Sequence, residues 1–507
     1  MEKRLVLATT LSIVILLLWS ALSPKKPPIV PIAAQSEQVQ APSSTLPTAA
    51  IDMPPVMIVP PLLYAQPEKD INFIESIAAI REVIFKNYRN HTFLLKDAFL
   101  LGEPNLSFKK VNSAPDELVF VHSDQNKKIV KRFLIDKSKY TMGLEINVQN
   151  NSASPLPVHY PLSIGILDFK TNPDAARYRD VAIATTNNGL LRTTYVNGRK
   201  DMAVEQPSFV AIRDQYFCNI VEPLSAGQTV ILNKLNSNET EVRLAPKEVI
   251  LAPGQNFEQK FRIYLGPQDL GMIKAANPAW VSVINYGFFD FISQLLLQLL
   301  GFFYGLVHNW GLAIIILSVA VYFLLYPLTL KQMRSMKAMQ ALQPRIEELK
   351  KIYKDNPQKL HKATLELYRE YKVNPLGGCL PLLLQMPIFF ALYQALARSI
   401  ALKGAHFLWI KDLSEPDRLF RLPMTLPVVS NEFNLLPILM AIVMFFQQKA
   451  SSASMAGEHA EQQKIMLIVM PVLFGLIFYR MPAGLVLYWF VNSLLMALYQ
   501  FKINKAK

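Results

Sequence analysis

Residues 374–396 read NPLGGCLPLLLQMPIFFALYQAL, and the rest of the chain is organised around them. They open on a turn, Pro375-Leu376-Gly377-Gly378, and then stay apolar for about 20 residues, the thickness of a bilayer's hydrocarbon core. Pro381 and Pro387 each remove a helix donor and are expected to clash one turn back. Gln385, between them, carries an amide that costs free energy in lipid unless it is paired. A plain anchor needs neither feature. A span that lines a cavity tolerates both, because protein or water satisfies the freed groups there.

The composition agrees with a mixed chain. Its 507 residues are too many for one ordinary core; 51% are apolar, 18% are charged, and the formal net charge is +14. Nucleic acid is one reading of that charge. The basic residues, however, crowd beside apolar spans rather than on an aromatic-rich soluble module, which favours anionic lipid or ribosomal RNA at a membrane face. The two cysteines, Cys218 and Cys379, fall in segments assigned to different compartments, so no structural disulfide is expected.

From the N-terminus, Lys3-Arg4 precedes an apolar run over 5–22. A cleaved signal peptide would use Ala21-Leu22-Ser23; the length of the run instead favours an uncleaved signal anchor over 1–23. Residues 24–67 are rich in Pro, Ala, Ser and Gln and read as a linker. Residues 68–267 alternate at period two, with Met142, Leu144, Ile146 and Val148 on one face, and Asn150-Asn151 and Pro253-Gly254 as turns. They predict an antiparallel β-sandwich, within which 71–88 reads as helical. Residues 268–310 carry an amphipathic helix over 282–307, whose Asp290, Gln294 and Gln298 favour lying at an interface over spanning it.

Residues 311–507 hold five apolar spans: 312–329, 374–396, 435–446, 465–479 and 485–499. Eleven Lys and Arg residues lie between Lys331 and Lys372, which makes that loop cytoplasmic by the positive-inside bias. It reads as a helical hairpin over 331–373, with arms 331–354 and 358–372 split at Asn356-Pro357. Met333, Met336 and Met339 repeat every three residues. Their stripe is either the seam between the arms or a face that touches substrate. With the anchor, the count is six spans, both termini cytoplasmic.

Several chemistries are excluded. There is no Gly-rich phosphate cradle and no His-Glu-x-x-His helix. No carboxylate or histidine stands mid-span, as an intramembrane protease would require. Neither a catalytic residue nor a metal or cofactor is expected. What remains is a polar set on apolar spans: Ser318, Gln385, Tyr488, Trp489 and Asn492. Interhelical hydrogen bonding is one use for it, and a hydrated groove is the other.

Asn374-Pro375-Leu376-Gly377-Gly378-Cys379, together with Pro381 to Phe389, resembles the YidC/Oxa-type membrane protein insertases, in the Gram-negative YidC branch. The resemblance recurs at Asn309-Trp310-Gly311, Tyr326-Pro327-Leu328-Thr329, Leu408 to Leu413 and Pro482 to Tyr488, and is dense from about Tyr286 onward. It implies an α-helical polytopic membrane protein with a five-span insertase core and a periplasmic β-sandwich of the supersandwich type. It further implies insertion of nascent inner-membrane proteins and a chaperone role, without nucleotide hydrolysis. The implied partners are SecYEG, SecDF, the ribosome and anionic lipids. The family's hydrophilic groove centres on an arginine whose position falls on Tyr322 here, so attraction of an acidic substrate tail is not expected. A small-solute transporter or a non-inserting assembly factor are the competing readings.

Overall fold

The computed structural model describes residues 62–103, 106–111, 114–136, 140–170, 176, 178–185, 189–193, 202–354, 356–371, 373, 380–426, 430–452 and 460–505. The anchor, most of the linker, and the turn at 374–379 with Cys379 lie outside them.

Alternating strands build the first half. The largest sheet has nine strands in the spatial order Gly189–Thr193, Asp180–Thr185, Pro207–Arg213, Phe217–Pro223, Asn256–Pro267, Thr141–Asn150, Lys127–Ile135, Glu117–Ser123 and Lys109–Val111. A four-stranded sheet runs Leu162–Asp168, Glu239–Pro246, Gln228–Lys234 and Met202–Glu205. A second four-stranded sheet takes Leu62–Ala65, Lys69–Ile74, Ala79–Phe85 and His91–Ala98 in sequence order. The pairings are antiparallel. Period two is visible in Thr141–Asn150, where Met142, Leu144, Ile146 and Val148 are buried and their neighbours are not. One apolar core draws on all three sheets.

Two boundaries are corrected. Leu62–Ala65 pairs with Asp70–Phe73, so the domain begins inside the stretch read as linker. Residues 71–88 hold no α-helix, only strand and two 3-10 turns, the second being Lys86–Tyr88. Two strands are joined there by a short 3-10 turn, Glu75–Ile77, which ends on Ala78 at φ 49°. The turn shifts the phase between two alternations, and their sum imitates helical spacing.

Among the described residues, Lys69 and Lys131 are buried in this core, and their ammonium groups donate to backbone carbonyls. Lys131 Nζ donates to the carbonyls of Ala78 and Phe99, both residues in the left-handed region. Lys69 Nζ donates to the Leu265 carbonyl at 3.2 Å and lies over the Tyr140 ring. Burial pushes both ammonium groups down to about 7. The unfolded chain holds these protons up to about pH 10. Across pH 7–10 it therefore binds more protons than the folded chain, and stability rises with pH through that window. Below pH 7 both states are protonated and the gain is absent. The full chain's β-domain unfolding midpoint should climb between pH 7 and pH 9. Lys131→Met should remove roughly half of that climb, and a slope unchanged by the substitution would refute the assignment.

Helices follow. α1 (Leu270–Ala276) is capped by the Asp269 carboxylate, which accepts from Met272 N. A 3-10 turn, Pro278–Val283, buries Trp280 in the β core. α2 is Asp290–Val307, so the segment read as one helix from 282 is a 3-10 turn and then a helix. Its outward face carries Phe291, Leu295, Leu299, Phe302 and Leu306, all exposed.

α3 (Trp310–Ala341) runs as one helix, through Pro327, from the second predicted span into the basic loop. The first hairpin arm is therefore not one helix: the chain restarts as α4 (Gln343–Ile352), because Pro344 has no donor and disfavours a continuous ladder. α5 (Pro357–Glu370) is the second arm, capped by Asn356. The guanidinium of Arg345 lies 4.8 Å from the Tyr371 ring centroid.

α6 (Leu380–Arg398) contains Pro387. Pro381 is its second residue, where a missing donor costs nothing, so only Pro387 interrupts the ladder. α7 (Leu435–Ser452), α8 (Ala460–Phe478) and α9 (Ala483–Lys505) complete the set. α7 runs past the predicted end of the fourth span. The loop before it holds an unpredicted hairpin, Phe420–Leu426 with Ser430–Phe433. α9 packs against α7 and α3, and more sparsely against α6.

The β domain is bolted to the C-terminal end of α6. Arg213 donates from Nε and Nη2 to the two Asp180 carboxylate oxygens at 2.6 and 2.5 Å, and from Nη1 to the Val283 carbonyl at 2.6 Å. Arg398, the last residue of α6, places Nη2 3.9 Å from the same carboxylate and stacks its guanidinium over Tyr178. Asp180 and Arg213 are each 2% exposed. Beside them Gln215 Nε2 donates to the Ala397 carbonyl at 2.7 Å, and the Tyr216 hydroxyl to Ser414 Oγ at 3.0 Å. Arg89 donates from Nη2 to the Gly404 carbonyl at 2.9 Å, fixing the loop that follows α6.

Candidate functional site: a polar cavity between three helices

On α3, Ser318, Tyr322 and Thr329 fall four and seven residues apart and share a face. With 1.5 Å of rise per residue, Tyr322 and Thr329 stand about 18 and 28 Å along the helix from Trp310. The site is thus toward the end of the bundle away from the β domain.

Tyr322, Thr329, Gln385 and Asn492, with Leu325, Leu328 and Met496, border a cavity of about 30 Å³. That is room for one or two waters, and four polar walls are enough to hold them. Gln385 Nε2 crosses from α6 to α9 and donates to the Tyr488 hydroxyl at 3.1 Å. Asn492 Nδ2 donates to the Tyr488 carbonyl at 3.0 Å, one helical turn back. Thr329 Oγ1 donates to the Leu325 carbonyl at 3.1 Å. Pro387, two residues on, stands about 200° around α6 from Gln385 and is not among the residues that border the cavity.

Of the six groove residues read from the sequence, Tyr322, Gln385 and Asn492 border the cavity, and Tyr488 stands one hydrogen bond behind its wall. Two do not. Ser318 is fully buried and donates to the Ile314 carbonyl of its own helix at 2.7 Å. Trp489 points elsewhere, among Phe389, Phe474 and Phe478 at centroid distances of 5.4, 5.9 and 5.3 Å. Thr329 was missed; its place seven residues after Tyr322 was the available signal. Met333, Met336 and Met339 lie on α3, and their side chains are outside those described.

The cavity's surroundings are tight at the other end of the helices. The Phe407 ring sits against Gly311, where a Cβ would collide with it. Gly484 is similarly close to the Leu413 carbonyl, 3.1 Å from where its Cβ would be. Among the described residues no three His, Cys, Asp or Glu side chains converge as a metal site would need. Three described helices are long and apolar enough to cross a membrane: α2, the first 21 residues of α3, and α9 through Lys502.

Comparison with known proteins covers both halves. Residues 302–507 match the family described as 60Kd inner membrane protein, and residues 107–299 match the YidC periplasmic domain. A protein named membrane protein insertase YidC from Pelobacter propionicus is 33% identical, over 100% of this chain and 99% of that one. One of the same name from Geotalea uraniireducens is 32% identical over the same shares. A crystal structure described as an active YidC insertase with its first transmembrane domain resolved covers 87% of this chain and 94% of its own, at 19% identity and a TM-score of 0.40.

Proposed function

The chain belongs to the YidC family of membrane protein insertases, in its form with a periplasmic domain, and from that premise we propose that it inserts integral membrane proteins into the inner membrane and helps them fold. It does so without nucleotide hydrolysis, alone or beside the Sec translocon. Six spans, with 1–23 as the first and five in the core, place both termini in the cytoplasm. α2 lies at the outer interface, while the hairpin of α4 and α5 meets the ribosome and anionic lipid.

The observation that carries this reading is the cavity walled by Tyr322, Gln385 and Asn492 inside otherwise apolar helices. A nascent apolar segment gains about 0.3–0.6 kcal/mol per good apolar residue on entering lipid, so the span itself needs no fuel. Its polar tail is the obstacle, since an unpaired amide in an apolar medium costs about 1–3 kcal/mol. α6 touches α3 and α9 sparsely. In this reading the tail enters where α6 meets them, beside groups that replace its lost water.

A photo-crosslinking amino acid at Gln385 should capture a nascent single-span membrane protein stalled during synthesis. The same probe at Phe291, on the outward face of α2, should capture lipid. Capture of the passenger at Phe291 with none at Gln385 would move the path out of the cavity and refute the proposal.

A further inference from the structure

The cavity's polar walls are a phenol, a hydroxyl and two carboxamides: Tyr322, Thr329, Gln385 and Asn492. Each is a neutral dipole that both donates and accepts. Among the described residues, none of those bordering the cavity carries a charge. Arg398 is at the far end of α6, engaged with Asp180 and Tyr178. Lys502, six residues beyond Met496 on α9, is exposed, where solvent and salt screen a charge.

Building on the insertase reading, we infer that the cavity selects passengers whose crossing tail is polar but uncharged, and that it is blind to the sign of any charge the tail carries. The chemistry is direct. Carboxamide and hydroxyl groups rotate to offer either a donor or an acceptor, so peptide groups, Ser, Thr, Asn and Gln are all accepted. An ion gains partial hydrogen bonding from such walls but no counter-charge, and in a low-dielectric surround that deficit is large for either sign. Tyr322 is the specificity-determining residue, because it is the longest polar side chain that α3 contributes to the lining and its position can present a charge if substituted.

The test uses the full chain in zwitterionic proteoliposomes at high salt and without a membrane potential. Three single-span passengers differ at one position of the translocated tail: Ser, Asp or Lys. The Ser passenger should insert fastest, with the Asp and Lys passengers each at least tenfold slower and within about threefold of one another. Tyr322→Arg should break that symmetry, so that Asp exceeds Lys by tenfold or more. Insertion of Asp tenfold faster than Lys by the unsubstituted chain overturns the inference, whatever the variant does. So does a variant that inserts the Ser passenger yet treats Asp and Lys alike. A Ser passenger that inserts no faster than in empty liposomes overturns the insertase reading itself.

Discussion

Asp180→Ala should destabilise the protein by about 3–5 kcal/mol, the range for removing one partner of a buried ion pair. The carboxylate is 2% exposed and takes two short hydrogen bonds from Arg213, with Arg398 3.9 Å away. Its loss leaves two guanidinium groups shut from water with no counter-charge. The pair is not expected to add that much net stability over an apolar replacement, because desolvation offsets most of the attraction. The asymmetry gives the control: Asp180→Leu with Arg213→Met should recover part of the loss, leaving Arg398 as the residual cost. In thermal scans of the full chain in detergent, the single substitution should lower the β-domain midpoint by roughly 6–20 °C. A shift below about 2 °C would mean that water reaches the pair.

Gln385→Leu should slow insertion of a neutral-tailed passenger by about tenfold, with the fold intact. The amide contributes one hydrogen bond to Tyr488 and one polar wall to the cavity. A net hydrogen bond is worth about 0.5–1.5 kcal/mol, and a polar tail left unmatched loses that much again. Leu fills similar volume, so packing of α6 against α9 should change little. Gln385→Asn keeps the amide, shortens it by one methylene and should retain most of the rate. An unchanged rate in Gln385→Leu would show that passengers do not use the cavity.

Much of this arrangement is legible from the residues alone. Apolar runs mark the helices because each is longer than a core strand needs, and Thr141–Asn150 alternates without a break. Gln385 is conspicuous because an amide between two prolines in a span has no cheap explanation. The errors share one cause, since each needs contact information that spacing does not carry. Pro381 and Pro387 look alike until the helix start at Leu380 makes one harmless. Ser318 and Tyr322 share a face, yet the serine turns back onto its own backbone and the tyrosine does not. The link from Asp180 to Arg398 joins positions 218 residues apart, each unremarkable in its own neighbourhood. Residues 71–88 fail in the opposite way: a single left-handed residue, Ala78, resets a strand pattern into an apparent helical one.

α3 has a mechanical consequence. Thirty-two residues in one rod reach about 48 Å, farther than a membrane is thick. Pro327 removes one rung of its hydrogen-bond ladder, so a sideways pull on the C-terminal end would be taken up first as bending there. Tyr322 and Thr329 stand on either side of that missing rung, so such bending would shift one wall of the void against the other with no messenger passing between.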